Sequence, residues 1–503
     1  MNIGDALPRN AQQFPKKLAL VDQRRSLTHL DLHLRTNRLG NYLLRQGIQP
    51  GDLVGVSCGS RAEHLEMLFG LAKIGAIAVP FDYSWSALEC EAMVRVFEPK
   101  AFILESRNET QPLFSFAREH IGSEKLLAID LPDGEGSSPY EEALAAADCV
   151  DPAVVVDGKD LFLVMITSGT TGFPKGCQIN HETYALRSVN NAITKGLSHE
   201  ERALITLPLH FNAGRGSMMG MLYLGGSVYI QEKFNEEKFL ATIEQERITY
   251  TVLVPTLCDR LLRYRNLDQF DRSSLTYLGI TGGHLSPDLA ASVMDKLCPH
   301  LYESYASTDC GQMTIVGPAD RKEHGDTVGR PIWCVLVRIA DSDLRELPPG
   351  QEGEICVRTP LSIQGYYRNS EATEEFFQGG WCHTGDIGFL DQDGYLHVTG
   401  RKKNMIKSGG ISIFPEEIEE ILRKHPQVSD AAVVGVQNLE WGEGVKALVV
   451  LTAGASCEPE DLIRHCKQAL ASYKAPKTIE FVSSLPRTDL GKIDRGKLQR
   501  TEA

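Results

Sequence analysis

Residues 167–176 read TSGTTGFPKG and directly follow the apolar run LFLVMI. Three glycines allow backbone N–H groups to turn inward as an anion nest, the threonine and serine hydroxyls add donors, and Lys175 supplies a mobile positive charge. That combination suits a polyphosphate; an ordinary flexible loop is the alternative. A Walker A loop is excluded because Gly-Lys-Ser/Thr occurs nowhere in the chain, which disfavours P-loop kinases and ATPases.

Such a loop needs elements that hold it. LVGVS reads as a strand, AEHLEMLFGLAKIG as an amphipathic helix and AIAVP as another strand, which is a βαβ unit over residues 51–82. The alternation returns in LFLVMITSG, RALITLP, SVYIQ, TYTVLVP and LTYLGITGG, separated by helical stretches such as FLATIEQERI. The fold class is α/β, with parallel-type sheets flanked by helices, and ligands in such sheets sit at the carboxyl ends of strands. From about residue 325 to 402 the texture becomes short strands and tight turns, VLVRIAD, GEICVRT and GFLDQDGYLHVTG, a small β-rich lobe. Residues 403–503 read as a separate α+β domain. Its helix PEEIEEILRKH has Pro415 at its first position, acids in the first turn and bases in the last.

The 503 residues exceed what one domain holds, and the net charge of −14 (52 basic, 66 acidic) is spread along the chain, against a nucleic-acid or anionic-membrane surface. Twelve cysteines occur singly, without CxxC or zinc-site spacing, and read as reduced, buried thiols. No apolar run approaches the roughly 18 residues of a membrane span and the amino-terminal segment has no apolar h-region, so a cytoplasmic location is expected.

At TSGTTGFPKG the chain resembles the adenylate-forming superfamily of acyl-CoA synthetases, adenylation domains and luciferases, and further motifs follow in that superfamily's order. The resemblance spans essentially the whole chain and implies a large domain over 1–402 and a mobile one over 403–503. It assigns nucleotide contacts to Thr167, Ser168, Gly169, Thr170, Thr171 and Gly172 in the loop and to Gly282 and Gly283 in GITGGHLSP. ESYASTD extends the nucleotide set with Glu303, Ser304, Tyr305, Ala306, Ser307 and Thr308, and its Asp309 is the Mg²⁺ ligand. There Ala306 stands where relatives carry glycine and Asp309 where they carry glutamate, which keeps an oxygen ligand on an arm shorter by about 1.5 Å. Asp386 in WCHTGDIG is implied to accept from both ribose hydroxyls, with Arg401 as a second nucleotide contact. Lys492 in PRTDLGKIDR, with Lys175 and Thr308, is implied to be catalytic. A cation between an attacking carboxylate and the α-phosphate lowers the barrier to their approach.

By the same resemblance LPLHFNAGRG lines the acyl pocket with His210, Phe211 and Arg215, joined by His284; many relatives have the aromatic and the histidine in the opposite order. These side chains suggest an aromatic or polar-substituted acid. Ser408, Gly409 and Gly410 would border the coenzyme A tunnel, and Lys403 would be the hinge. The implied reaction is ATP-dependent acid:CoA ligation through an acyl-adenylate, with ATP, Mg²⁺ and coenzyme A. A stand-alone adenylation enzyme loading a carrier protein, and a nucleotide-binding protein without catalysis, are the alternatives.

Overall fold

The computed structural model describes residues 2–82, 85, 87–105, 112–122, 125–130, 138–167, 175–283, 285–324, 326–408, 411–438, 442–470, 474–487, 492–495 and 497–498. Two seven-stranded sheets form the amino-terminal part. In one, Leu53–Ser57 is flanked by parallel neighbours Ile77–Pro80 and Ala101–Leu104, and the helix Ala62–Lys73 makes the expected crossover. That helix, read as amphipathic, is buried along its whole length, and its polar positions Glu63 and Glu66 are paired with Arg61 and Arg35. In the other sheet Arg202–Ile205, Ser227–Ile230, Tyr250–Leu253, Tyr277–Ile280 and Leu301–Glu303 run parallel. Neither sheet is purely parallel. Leu161–Thr167 pairs antiparallel with Lys175–Asn180, so the glycine-rich segment connects the two arms of a hairpin rather than a strand and a helix.

The helix His181–Lys195 follows at once. Asn180 caps it by accepting from Thr183 N, and Gly196 in the left-handed region (φ 64°) ends it, a conformation that side-chain-bearing residues resist. The helix Asn212–Leu224 packs beside it.

The β-rich lobe is an antiparallel five-stranded sheet that includes Leu336–Ala340, Gly353–Arg358, Trp381–Leu390 and Leu396–Arg401. Register slips between Glu354 and Cys356, opposite Gly385 at φ 70°. Such an irregularity re-aims side chains, and the next residue, Asp386, turns into the interior at 3% exposure.

The last strand of that sheet ends at Arg401, a short turn covers Lys402–Asn404, and Ile406–Ser408 already pairs in another sheet. That sheet is built on the long hairpin Val428–Asn438 and Gly442–Leu451. The helix Pro415–Arg423 has proline at its start, Glu416 and Glu417 in the first turn and Arg423 in the last, as the sequence predicts. Ile406, Ile418, Leu422, Val433, Val445 and Leu462 belong to a core of their own, separate from the clusters of the larger part. All twelve cysteines are free, nine of them buried. Among the described residues no helix is long and apolar enough to cross a membrane.

Candidate active site

Asp386 is the most constrained polar residue of the site. Tyr305 Oη donates to its Oδ2 at 2.6 Å, and the backbone N–H of Asp386 donates to Thr384 Oγ1 at 3.1 Å. Arg401, its register partner on the next strand, brings Nε to 2.7 Å from Oδ1, yet off the line of a hydrogen bond, so that oxygen has a charge contact and takes no directed hydrogen. Buried carboxylate oxygens are normally hydrogen-bonded. This one has the Arg401 charge beside it and no directed hydrogen bond. Burial, and then the Asp386 charge, push the Tyr305 phenol far above its usual range, which keeps it a donor.

Asp309 lies at the end of the same motif. Tyr366 Oη donates to its Oδ1 at 2.7 Å and Cys177 Sγ donates to the same atom at 3.4 Å. Burial first, then the Asp309 charge, raise both the Tyr366 and the Cys177 groups well above their ordinary values, so both stay protonated. Lys175 Nζ lies 5.0 Å from the centre of the Tyr366 ring, and Tyr366 pairs with Cys177 across the strands. Lys175, Tyr366 and Asp309 therefore converge at the mouth of the hairpin that carries the glycine-rich segment. A single carboxylate of this kind, with Oδ1 saturated by two donors, fits Mg²⁺, which is usually held by one or two carboxylates plus substrate phosphates. Among the described residues no group of three or more acidic, histidine or cysteine side chains could hold a metal ion.

The loop between these two acids is held from behind by Arg187. Its Nη2 donates to the Thr308 carbonyl at 3.0 Å and its Nε to the Leu361 carbonyl at 2.8 Å. Ser304 Oγ accepts from Gln312 Nε2 at 3.2 Å and Ser307 Oγ accepts from Cys310 N at 2.9 Å, while Ala306–Ser307 pairs with Gly311–Gln312. Glu303 is engaged differently from the reading above: its buried carboxylate pairs with Arg321, and its backbone bridges Val316, so it braces the motif. Gly282 and Gly283 follow the strand Tyr277–Ile280 at its carboxyl end. Thr167 ends the strand Leu161–Thr167, where its Oγ1 donates to the Lys175 carbonyl at 3.3 Å.

A cavity of about 130 Å³ opens next to the motif, bordered by Ser304, Ala306, Thr281, Gly311 and Gln312. Its other walls come from the His181–Lys195 helix, with Arg187, Asn190, Asn191 and Lys195, and from the Asn212–Leu224 helix. The second helix presents Asn212, Ala213, Gly216 and Ser217, whereas the expected acyl-pocket residues stand elsewhere. His210 and Phe211 precede the helix, and Arg215 projects off the lining face into the core at 2% exposure, where its Nη1 donates to the His210 carbonyl at 2.9 Å. Arg187, Lys195, Tyr277 and Tyr366 carry no motif signal; only their three-dimensional neighbours disclose them.

Ser168, Gly169, Thr170, Thr171, Gly172, His284, Gly409 and Gly410 lie outside the described residues. Lys403 sits in the turn between the β-rich lobe and the carboxyl-terminal sheet, and Ser408 ends the strand Ile406–Ser408. Lys492 is exposed, beside the bridge between Arg487 and Ile493.

A family model described as AMP-binding enzyme matches residues 7–367, and one described as AMP-binding enzyme C-terminal domain matches residues 417–492. A feruloyl-CoA synthase from Amycolatopsis is 33% identical over 98% of this chain and 97% of its own length. An indoleacetate–CoA ligase from Aromatoleum aromaticum is 32% identical over 100% and 98%. The crystal structure of ATP-bound MatB from Rhodopseudomonas palustris superposes with a TM-score of 0.90 at 27% identity, covering 100% of this chain and 99% of that one.

Proposed function

The chain belongs to the AMP-binding enzyme family, and from that premise we propose that it is an ATP-dependent carboxylic acid:CoA ligase working in two half-reactions. In the first, an oxygen of the substrate carboxylate attacks the α-phosphorus of ATP, the bond to the β,γ-diphosphate breaks, and acyl-adenylate and pyrophosphate result. In the second, the coenzyme A thiol attacks the acyl carbon, its proton is lost, and AMP leaves as the acyl–oxygen bond breaks.

The observation that carries this reading is the buried Asp386, whose Oδ1 has the Arg401 charge beside it but no directed hydrogen bond and whose Oδ2 is held by Tyr305, with Asp309 of the Tyr305 motif meeting Lys175 around the Tyr366 ring. A vicinal diol supplies two O–H donors, and Asp386 is placed to accept them with only Oδ2 already committed to Tyr305. Lys175 would then meet the polyphosphate. Asp309 is the residue that would hold Mg²⁺, whose role when bound with the nucleotide is to offset the phosphate charge. Arg187 fixes the backbone at Thr308, so the motif is rigid before substrate arrives, which avoids reorganisation during reaction.

In this reading the large part ends near 402, and Lys403 is the pivot. Within the six residues from Arg401 to Ile406 the chain leaves one sheet and enters another, and few backbone angles need to change to turn the carboxyl-terminal domain. Lys492 serves adenylation in one position; the segment 408–410 borders the coenzyme A path in the other.

The test is a coupled assay on the purified chain with a panel of acids. Pyrophosphate release that requires both acid and ATP, with a CoA thioester identified by mass, is expected. ATP cleavage to ADP and phosphate, or acyl transfer to a carrier phosphopantetheine but not to free CoA, would overturn the assignment.

A further inference from the structure

The two ends of the acyl cavity differ in chemistry. Arg187, Asn191 and Lys195 recur at four-residue intervals, so one face of the His181–Lys195 helix runs along the cavity. Arg187 stands at the reacting end, since it holds the Thr308 carbonyl. Two helical turns later, roughly 12 Å at 1.5 Å per residue, Lys195 stands at the other. The strand Tyr277–Ile280 runs the opposite way along the same two ends: Thr281, beside the nucleotide motif, follows its carboxyl end, and Tyr277 begins it.

Lys195 Nζ lies 5.4 Å from the centre of the Tyr277 ring and 5.7 Å from that of Tyr250, and donates to Tyr250 Oη at 3.4 Å. Tyr250 Oη in turn reaches Ser217 Oγ at 3.5 Å. The rings of Tyr250, Tyr277 and Tyr302 form a stack on three adjacent strands, with centroids 4.9 and 4.5 Å apart and planes within 13° and 8°. Gly279 leaves room for this floor, because a Cβ there would meet the Tyr277 ring at 2.9 Å. Among the described residues no carboxylate comes within ion-pair distance of Lys195. The far end is thus an ammonium group beside a stack of aromatic rings and close to the Tyr250 and Ser217 hydroxyls, with Tyr277 the ring of that stack that lines the cavity. In volume the cavity, at about 130 Å³, falls near the roughly 150 Å³ that accommodates benzene.

We propose that Lys195 reads the distal end of the acid: the preferred substrate is a flat, single-ring carboxylic acid with an acceptor oxygen, hydroxyl or carboxylate, opposite the carboxyl that is activated. The inference rests on the acid-activating reading and names its substrate class. An acceptor oxygen gives the ammonium a charge-assisted hydrogen bond, whereas an apolar terminus would cover a cation and leave it unpaired. Sites built to bond a polar substituent reject the analogue that lacks it more strongly than apolar pockets discriminate by size.

The experiment measures kcat/KM for acid-dependent pyrophosphate release with benzoate, 4-hydroxybenzoate and terephthalate, and with hexanoate and octanoate as saturated acids. The wild type and the variants Lys195→Met and Lys195→Arg are compared. The wild type is expected to favour an oxygen-bearing ring acid over benzoate by about 10- to 100-fold, the scale of one hydrogen bond to a charged group. Lys195→Met should bring that ratio close to one, and Lys195→Arg should restore part of it. A wild-type ratio near one, or a ratio that survives in Lys195→Met, overturns the inference while leaving the ligase reading intact. Preference for the saturated acids does the same. No acid-dependent pyrophosphate with any of these five acids, from a chain that releases it with another acid of the panel, overturns the inference and leaves the ligase reading intact.

Discussion

Tyr305 and Asp386, 81 residues apart in sequence, meet through a 2.6 Å hydrogen bond that uses one carboxylate oxygen, while the other has the Arg401 charge beside it. The tyrosine thus orients the acid. Asp386→Asn replaces an acceptor pair with one acceptor and one donor and removes the charge, so a ribose hydroxyl or Tyr305 loses its acceptor. KM for ATP is expected to rise about 10- to 100-fold, the worth of a hydrogen bond to a charged group. Tyr305→Phe should raise it less. Steady-state ATP titrations check both; equal effects of the two changes would mean that Asp386 acts only through the pair.

Lys492 is exposed and belongs to the carboxyl-terminal part, so its proposed task requires that part to close over the nucleotide. Lys492→Ala should slow adenylation by roughly 10²- to 10⁴-fold, as lost electrostatic contacts in a transition state do. Thioester formation from pre-made acyl-adenylate should be nearly normal. Single-turnover assays of the two half-reactions decide; matched losses would remove Lys492 from the first of them.

Asp309 accepts from Tyr366 and Cys177 at one oxygen. Asp309→Asn should raise the Mg²⁺ concentration needed for half-maximal adenylation by about tenfold or more, on the scale of one charged ligand contact. Tyr366→Phe frees Oδ1 from a donor and should shift the same titration by a smaller amount. An unchanged Mg²⁺ titration in Asp309→Asn would show that the metal is held elsewhere.

His64 is fully buried beside Cys58; burial chiefly, and then Arg215 and His210 nearby, lower its pKa from 6.5 to about 3. Below pH 6.5 the unfolded chain therefore takes up a proton that the folded chain refuses until about pH 3. Stability falls as pH drops through that window, by about 1.4 kcal/mol per pH unit from this residue. Urea unfolding between pH 6 and 4 should show a shallower pH dependence in His64→Leu than in the wild type. An identical slope would place the proton uptake on other groups.

The parts of this molecule that were legible in the sequence are those in which local pattern and chemistry coincide. The strand Leu53–Ser57, the helix Ala62–Lys73 and the helix Pro415–Arg423 follow from periodicity and end signals within a few residues of their bounds. Asp386, Asp309 and Lys175 stood out because each sits in a short motif. Tyr366 did not, since its role comes from pairing with Cys177, 189 positions away, and reaching Asp309. Arg187 and Lys195 read as ordinary bases on an amphipathic helix until the sheet they face is known. Arg215 illustrates the reverse: near a motif in sequence, it turns into the core because the helix that carries it starts at Asn212. Side-chain direction on a helix depends on where that helix begins, and end positions are the weakest part of a sequence reading.

The central claim, activation of a carboxylate by attack on the α-phosphorus, is tested most directly by following oxygen. An acid that the enzyme turns over is labelled with ¹⁸O in both carboxyl oxygens and incubated with ATP, Mg²⁺, coenzyme A and the purified chain, and the products are analysed by mass spectrometry. The account predicts AMP carrying one ¹⁸O atom and unlabelled pyrophosphate. Label in inorganic phosphate, or AMP without label while thioester accumulates, would contradict it.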